Sequence, residues 1–148
     1  MRRVEQNLLK MNDDQIYFDG PEPFTGVAYQ LRDDGSVWAE QTLLHGVPDG
    51  PTRSWYPNGQ LKTETNYKLG WGDGVSREWY PDGRLKSYDL IECGISIECK
   101  GWDEAGALID DYHIDPASGQ FSRLQQLRAT EEDRVRRFYE KYGKRPVV

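Results

Sequence analysis

The residue types that could do chemistry are few. His45 and His113 are the two histidines, Cys93 and Cys99 the two cysteines. A general base has to reach a nucleophile and is usually held by a local motif. Neither histidine stands in an H-E-x-x-H run or a nucleophile elbow, so both are expected in turns or on the surface. Zinc would need a second Cys/His pair at short spacing, which the chain does not offer. The cysteines are expected as two reduced, half-buried thiols, with a cross-hairpin disulfide the alternative. Asp103-Glu104 and Asp110-Asp111 are adjacent pairs, and neighbours on a strand face opposite sides, so neither pair converges on one substrate. Gly70, Gly72 and Gly74 lie between predicted strands with no helix N-terminus after them, which removes the phosphate-loop reading. Arg134, Arg137 and Lys141 form a basic ridge, expected as a solvated helix face. These features together predict a protein that is not an enzyme and holds no metal or cofactor.

What positions these residues is a repeat. Residues 50–62 read GPTRSWYPNGQLK and residues 74–86 read GVSREWYPDGRLK. Three glycine series keep the same offset of 24: Gly26, Gly50 and Gly74; Gly35, Gly59 and Gly83; Gly46, Gly70 and Gly94. A degraded fourth copy carries Trp102, Gly106 and Leu108. Repeats of this length stack one supersecondary unit against the next. In the second copy, Thr52 to Tyr56 reads as a strand, Pro57-Asn58-Gly59 as a turn, and Gln60 to Tyr67 as the return strand. Alternation puts Leu61, Thr63, Thr65 and Tyr67 on one face. Three columns of equivalent residues are the expected core. They are Leu31, Trp55, Trp79 and Trp102; Val37, Leu61, Leu85 and Leu108; and Leu43, Tyr67, Ile91 and Ile114.

Around the repeats, residues 1–23 are expected as an irregular hairpin, broken at Gly20-Pro21-Glu22-Pro23 because two prolines oppose a ladder. Residues 24–114 hold about four repeats, and residues 115–148 a helical cap. Thr130 is placed as N-cap of a helix from Glu131 to Tyr142, ended by Gly143, with Lys141, Lys144 and Arg145 near its C-terminal end. Val135, Phe138, Tyr139 and Tyr142 share one face of it. That helix is expected to cover the last edge strand of the sheet. The fold class is therefore mostly β: an elongated antiparallel sheet of stacked hairpins in a single domain, with a C-terminal capping helix.

The net charge of −6 is uneven. Six basic and four acidic residues follow Ala129, leaving the preceding chain at −8. An acidic body repels nucleic acid and anionic lipid, and favours a basic protein partner. The opening MRRVEQNLLKMNDDQ has no apolar run of signal-peptide length, and no stretch approaches the roughly 20 apolar residues of a membrane span. A cytoplasmic location is expected.

The units around Trp55-Tyr56-Pro57-Asn58-Gly59-Gln60-Leu61-Lys62 and Trp79-Tyr80-Pro81-Asp82-Gly83-Arg84-Leu85-Lys86 resemble MORN-variant repeats. More narrowly, they are similar to the bacterial YwqK-type antitoxins of toxin–antitoxin systems, a likeness that covers about residues 15–114. The resemblance implies an elongated antiparallel sheet with no catalytic residues to carry over. It also implies a protein-binding role, as an antitoxin or immunity protein that occludes a cognate basic toxin. A scaffold or assembly module, or a membrane-associated repeat, is the alternative. The expected partner-binding residues are Asp33, Asp34, Trp71, Asp82, Asp103 and Glu104.

Overall fold

A computed structural model describes residues 1–143; Lys144 and Arg145, expected near the helix end, lie outside the described residues. The chain is mostly β, with a large sheet and one C-terminal helix. Its hairpins are β5 (Gly26–Leu31) with β6 (Val37–Leu44), β7 (Val47–Trp55) with β8 (Leu61–Lys68), β10 (Gly74–Trp79) with β11 (Leu85–Glu92), and β12 (Ile95–Trp102) with β13 (Leu108–His113). They lie side by side in sequence order, and β9 (Trp71–Gly72) pairs with β8 in the connector. The repeat is therefore a structural one, a hairpin laid antiparallel against the hairpin before it.

Two kinds of turn alternate along the two rims of the sheet. The long turns close with Gly35, Gly59, Gly83 and Gly106 N–H groups donating to the carbonyls of Arg32, Tyr56, Tyr80 and Asp103. All four glycines have φ between +82° and +88°, a conformation open to glycine at little cost. Each long turn ends in a bulge. In the second repeat it inserts Lys62 between the pairs Trp55·Leu61 and Ser54·Thr63. Leu61 therefore leaves the face that carries Thr63 and Thr65, contrary to simple alternation. In the third repeat the inserted Lys86 reaches Glu78 at 2.9 Å, while the ring of Tyr88 meets Trp102 on the other face, 6.1 Å between centroids.

The expected columns do not form one dry core. Leu43 and Ile114 are buried, Trp55, Trp79 and Trp102 are half-buried, and Leu31, Leu85 and Leu108 are exposed. A single layer of sheet cannot cover both its faces. Burial concentrates instead at two places, around Leu9, Phe24, Ala28 and Leu43, and around Cys93, Ile114 and Leu124.

The N-terminal segment differs from the expected hairpin. β1 (Arg3–Glu5) joins the large sheet, parallel to β5. Only β2 (Lys10–Met11), β3 (Tyr17–Asp19) and β4 (Glu22–Pro23) form a small sheet of their own. The two prolines do not stop pairing: Pro23 and Glu22 face Phe18 and Asp19 on a peripheral strand, where the missing donor is tolerated.

The helix α1 runs from Gly119 to Tyr142, twelve residues longer at its start than expected. Ser118 is the N-cap, its hydroxyl accepting from the Phe121 N–H at 3.1 Å. Thr130 sits inside, its hydroxyl donating to the Gln126 carbonyl. Gly143 ends the helix with φ +84°. The helix does not cover the last edge strand: β13 stays exposed at every residue but Tyr112. It lies across the short turns on the opposite rim from the long ones.

Candidate docking surface

The short turns explain where the helix goes. His45-Gly46, Leu69-Gly70 and Cys93-Gly94 each have positive φ at both residues, the geometry that matches strand twist in a two-residue hairpin. The first position normally takes Asn, Asp or Gly; a side chain like leucine costs about 1–2 kcal/mol there. All three turns meet the helix, His45 and Cys93 through their side chains and the Leu69 turn through the Leu69 carbonyl, which accepts from Arg134. Cys93 packs with the fully buried Leu124, and Leu69 is buried beside Lys68, whose ammonium bonds Glu131 at 2.6 Å. The ring of His45 stacks on Tyr142 and meets Phe138 at 6.0 Å. Leu124, Glu131 and Phe138 are seven residues apart, a rise of about 10.5 Å. Two strands occupy about 9.6 Å. The heptad of the helix thus keeps step with the hairpin repeat, running backwards along it.

Trp71 belongs to this rim. The Arg134 guanidinium lies 4.2 Å from the centre of its ring and also donates to the Leu69 carbonyl at 3.1 Å. Trp71 packs against the cluster around Leu124 and is half-buried. It is not an outward anchor, and Arg134 is not part of a free basic ridge. Cys93 and Cys99 are both free thiols. Burial, helped by Glu131, holds the Cys93 thiol above its ordinary pKa.

The other predicted site residues all lie on the long-turn rim, spread over the turns closed by Gly35, Gly83 and Gly106. Asp33 and Asp34 help line an open cleft of about 690 Å³ with Arg32, Trp38, Trp55 and Lys62. Asp103 helps line a smaller one of about 280 Å³ with Tyr80, Leu85 and Trp102. Asp82 and Glu104 are exposed in the turns between and beside them. Part of this acidity is committed to the turns themselves. Asp34, Asp82 and Asp103 accept main-chain N–H groups of Ser36, Arg84 and Ala107. Bonds from Ser36 hold the Asp34 carboxyl below its ordinary pKa, and bonds from Arg84 do the same for Asp82. Both are therefore fully charged at neutral pH. Exposed Trp38, Leu85, Leu108 and Ile109 flank the same rim, so acids and apolar surface are presented together.

A further set of residues, overlooked in the sequence, ties the rim together. The Tyr56 phenol donates to the Trp79 carbonyl at 2.9 Å, and the Tyr80 phenol to the Trp102 carbonyl at 2.8 Å. Arg32 makes the same reach to the Trp55 carbonyl. Asn58 continues the pattern at the turn tips with the Pro81 carbonyl. The signal was present, since Tyr56 and Tyr80 recur at the same place in each copy.

On the outer face of the last two strands, His113 lies 3.4 Å from Asp111 and 3.9 Å from Glu98, with 63% of its side chain exposed. Water screens such a cluster, and it makes an ordinary surface network.

A tandem-hairpin sheet with an outward-facing turn rim defines a repeat protein whose exposed surface is the rim and the sheet faces. Among known families, the one described as MORN repeat variant matches residues 48–69, which is β7, its long turn and β8. A match of that kind points to a protein-binding or scaffold module. No curated protein and no solved structure matches the chain. No helix among the described residues is long and apolar enough to cross a membrane.

Proposed function

We propose that this chain is a cytoplasmic, non-enzymatic protein-binding module, an antitoxin or immunity protein that neutralises a cognate basic toxin by covering its active site. The observation that supports it most is the long-turn rim, where charged Asp33, Asp34, Asp82, Asp103 and Glu104 stand beside exposed Trp38 and Leu85. Acids on a rim steer a basic partner in, and a ring that fills a partner pocket holds it. The acidic body ahead of the helix adds to that field.

The test is co-expression with the product of the neighbouring gene, followed by titration calorimetry. Nanomolar binding that weakens in high salt, and that Asp33→Lys with Asp82→Lys weakens at least tenfold, supports the reading. A neighbour that binds with no response to salt or to those changes counts against it.

A further inference from the structure

The large sheet ends differently on its two sides. On one side β1 offers three residues, paired parallel to β5. On the other, β13 offers six residues, five of them exposed, with Ile109 at 68% and Leu108 at 50%. Its inner side is fixed by the pairing Cys99·Tyr112 and by the Ile114 N–H donating to the Ile97 carbonyl at 2.8 Å. Antiparallel ladders alternate, so the main-chain groups of Asp111 and His113 point outward. An edge of this length is a template for another strand unless something covers it, and of α1 only the first turns reach β13, at Tyr112, whose phenol donates to Gln120 at 3.3 Å.

Charge states which strand would fit. One row crosses the sheet through register neighbours Glu40, Arg53, Glu64 and Arg77, and later Lys100 and Asp111. Each directly paired charged step in it joins opposite signs, with Tyr88 standing between Arg77 and Lys100, and Arg53 bonds Glu64 at 2.7 Å and stands 3.5 Å from Glu40. The row ends on Asp111, whose next neighbour would be the incoming strand. On the opposite face Asp110 sits across from Gly101, with the neutral Cys99 thiol donating to it at 3.7 Å and no cation opposite. Like charges directly opposite are unfavourable and opposite charges favourable. A second copy of the chain is therefore a poor occupant. Antiparallel self-pairings with the longest overlap set Asp110 or Asp111 against itself.

We propose that β13 is a docking edge for an extended segment of a partner protein carrying two adjacent Lys or Arg residues, added to the sheet as a further strand. One basic residue would meet Asp111 on the outer face and the next Asp110 on the inner face, with β-branched or apolar neighbours against Ile109 and Tyr112. This rests on the protein-binding reading above and places the contact on the sheet edge that runs away from the last long turn, rather than along the turns of Asp33, Asp34 and Asp82.

The probe is a synthetic eight-residue peptide of alternating Val and Thr with Lys-Lys at its centre, titrated into the ¹⁵N-labelled chain. Two controls carry Glu-Glu in place of Lys-Lys, or N-methyl groups on alternate amides. The expected result is shifts confined to β13 and its neighbours, centred on Asp111 and His113, with each control at least tenfold weaker. The double change Asp110→Lys and Asp111→Lys should reverse the preference towards the Glu-Glu peptide, with the chemical-shift dispersion of the rest of the sheet retained. Unchanged affinity for the N-methylated peptide would overturn the proposal, as would a β13-mediated dimer in sedimentation equilibrium. Shifts along Asp33, Asp34 and Asp82 would overturn the edge assignment while leaving the protein-binding reading intact. Binding of no basic peptide and no basic protein would remove both.

Discussion

The guanidinium of Arg134 lies over the ring of Trp71, 4.2 Å from its centre, and donates to the carbonyl of Leu69. One side chain thus closes over the connector tryptophan and also caps a main-chain group of a strained turn. A desolvated cation–π contact is worth about 2 kcal/mol, and a hydrogen bond from a charged group about 1.5–3 kcal/mol before overlap between the two.

Arg134→Met should therefore destabilise the fold by about 2–3 kcal/mol. Trp71 emission should shift to the red as water reaches the ring. Arg134→Lys keeps the charge but loses the flat fork, and should recover less than half of the loss. Urea unfolding followed by tryptophan fluorescence measures both; equal stability of the methionine variant and the parent chain would refute the role.

Much of the fold was legible because period and turn chemistry are local. Gly59 and Gly83, with Asn58 and Asp82 before them, mark hairpin turns without any tertiary information. The helix start was not legible. Ser118 is a good cap, but Gly119 and Gln120 follow it and the apolar positions Phe121, Leu124 and Leu127 are diluted by polar residues. Its place on the short-turn rim depends on Leu124, Glu131 and Phe138 meeting Cys93, Lys68 and His45, a match of two spacings that no single window contains. Trp71 misled for the same reason: its partner Arg134 is 63 residues away in sequence. The acids of the long turns were recognisable as surface groups, although their service to the turn amides of Ser36 and Arg84 showed only in the structure.

Leu124 is the best single test of helix docking. It is fully buried between α1 and the sheet. Leu124→Ala should cost about 2–5 kcal/mol through lost transfer energy and the cavity left behind. Hydrogen exchange should rise first at the Leu69-Gly70 and Cys93-Gly94 turns, since Cys93 packs with Leu124 and the Leu69 carbonyl accepts from Arg134 of the same helix. Uniform exchange across the whole sheet instead would mean that the helix is not a separate docking unit.

Two carboxylates should pull the pH profile in opposite directions. The hydrogen bond from Arg128, at 2.5 Å, holds the Glu92 carboxyl below its ordinary value of 4.5. Its stabilisation is present above that value and is lost as pH falls through the folded pKa. Burial instead raises Asp73 above 3.8. Its contribution is present below that value and is lost as pH rises through the folded pKa, so at neutral pH the ionised group is a cost. Arg128→Gln should lower stability at neutral pH, with the gap closing in acid. Asp73→Asn should raise stability at neutral pH, and its advantage should also vanish in acid. Urea midpoints from about pH 7 to about pH 3 read both signs.

The tyrosine clamps predict how repeats communicate. Tyr56→Phe and Tyr80→Phe each remove one phenol from a strand-end carbonyl at nearly constant shape. Each should cost about 0.5–1.5 kcal/mol. The two sites share no partner, so the double variant should show the sum within about 0.5 kcal/mol. Strong non-additivity would mean that the clamps act as one network along the rim.

Equivalent glycines should not be equally replaceable. Gly46, Gly70 and Gly94 share positive φ, +82°, +86° and +76°. An alanine at any of them meets the left-handed penalty of about 1–2 kcal/mol. Only at Gly46 would the added methyl also strike its surroundings, 2.4 Å from the Ile16 side chain and 2.5 Å from the Tyr17 carbonyl, because the small N-terminal sheet is laid over that turn. Nothing stands within 4 Å of a Cβ at Gly94. The Tyr17 N–H donates to the Gly46 carbonyl and the Gly46 N–H to that of Phe24, so neither backbone can move aside without losing a bond. Gly94→Ala should stay within the backbone penalty, whereas Gly46→Ala should exceed it by several kcal/mol or detach the segment from Lys10 to Pro23. Thermal unfolding ranks the two, and amide exchange at Tyr17 and Phe24 shows whether detachment is the way the strain is released; comparable losses at both glycines would mean that the small sheet does not press on this turn.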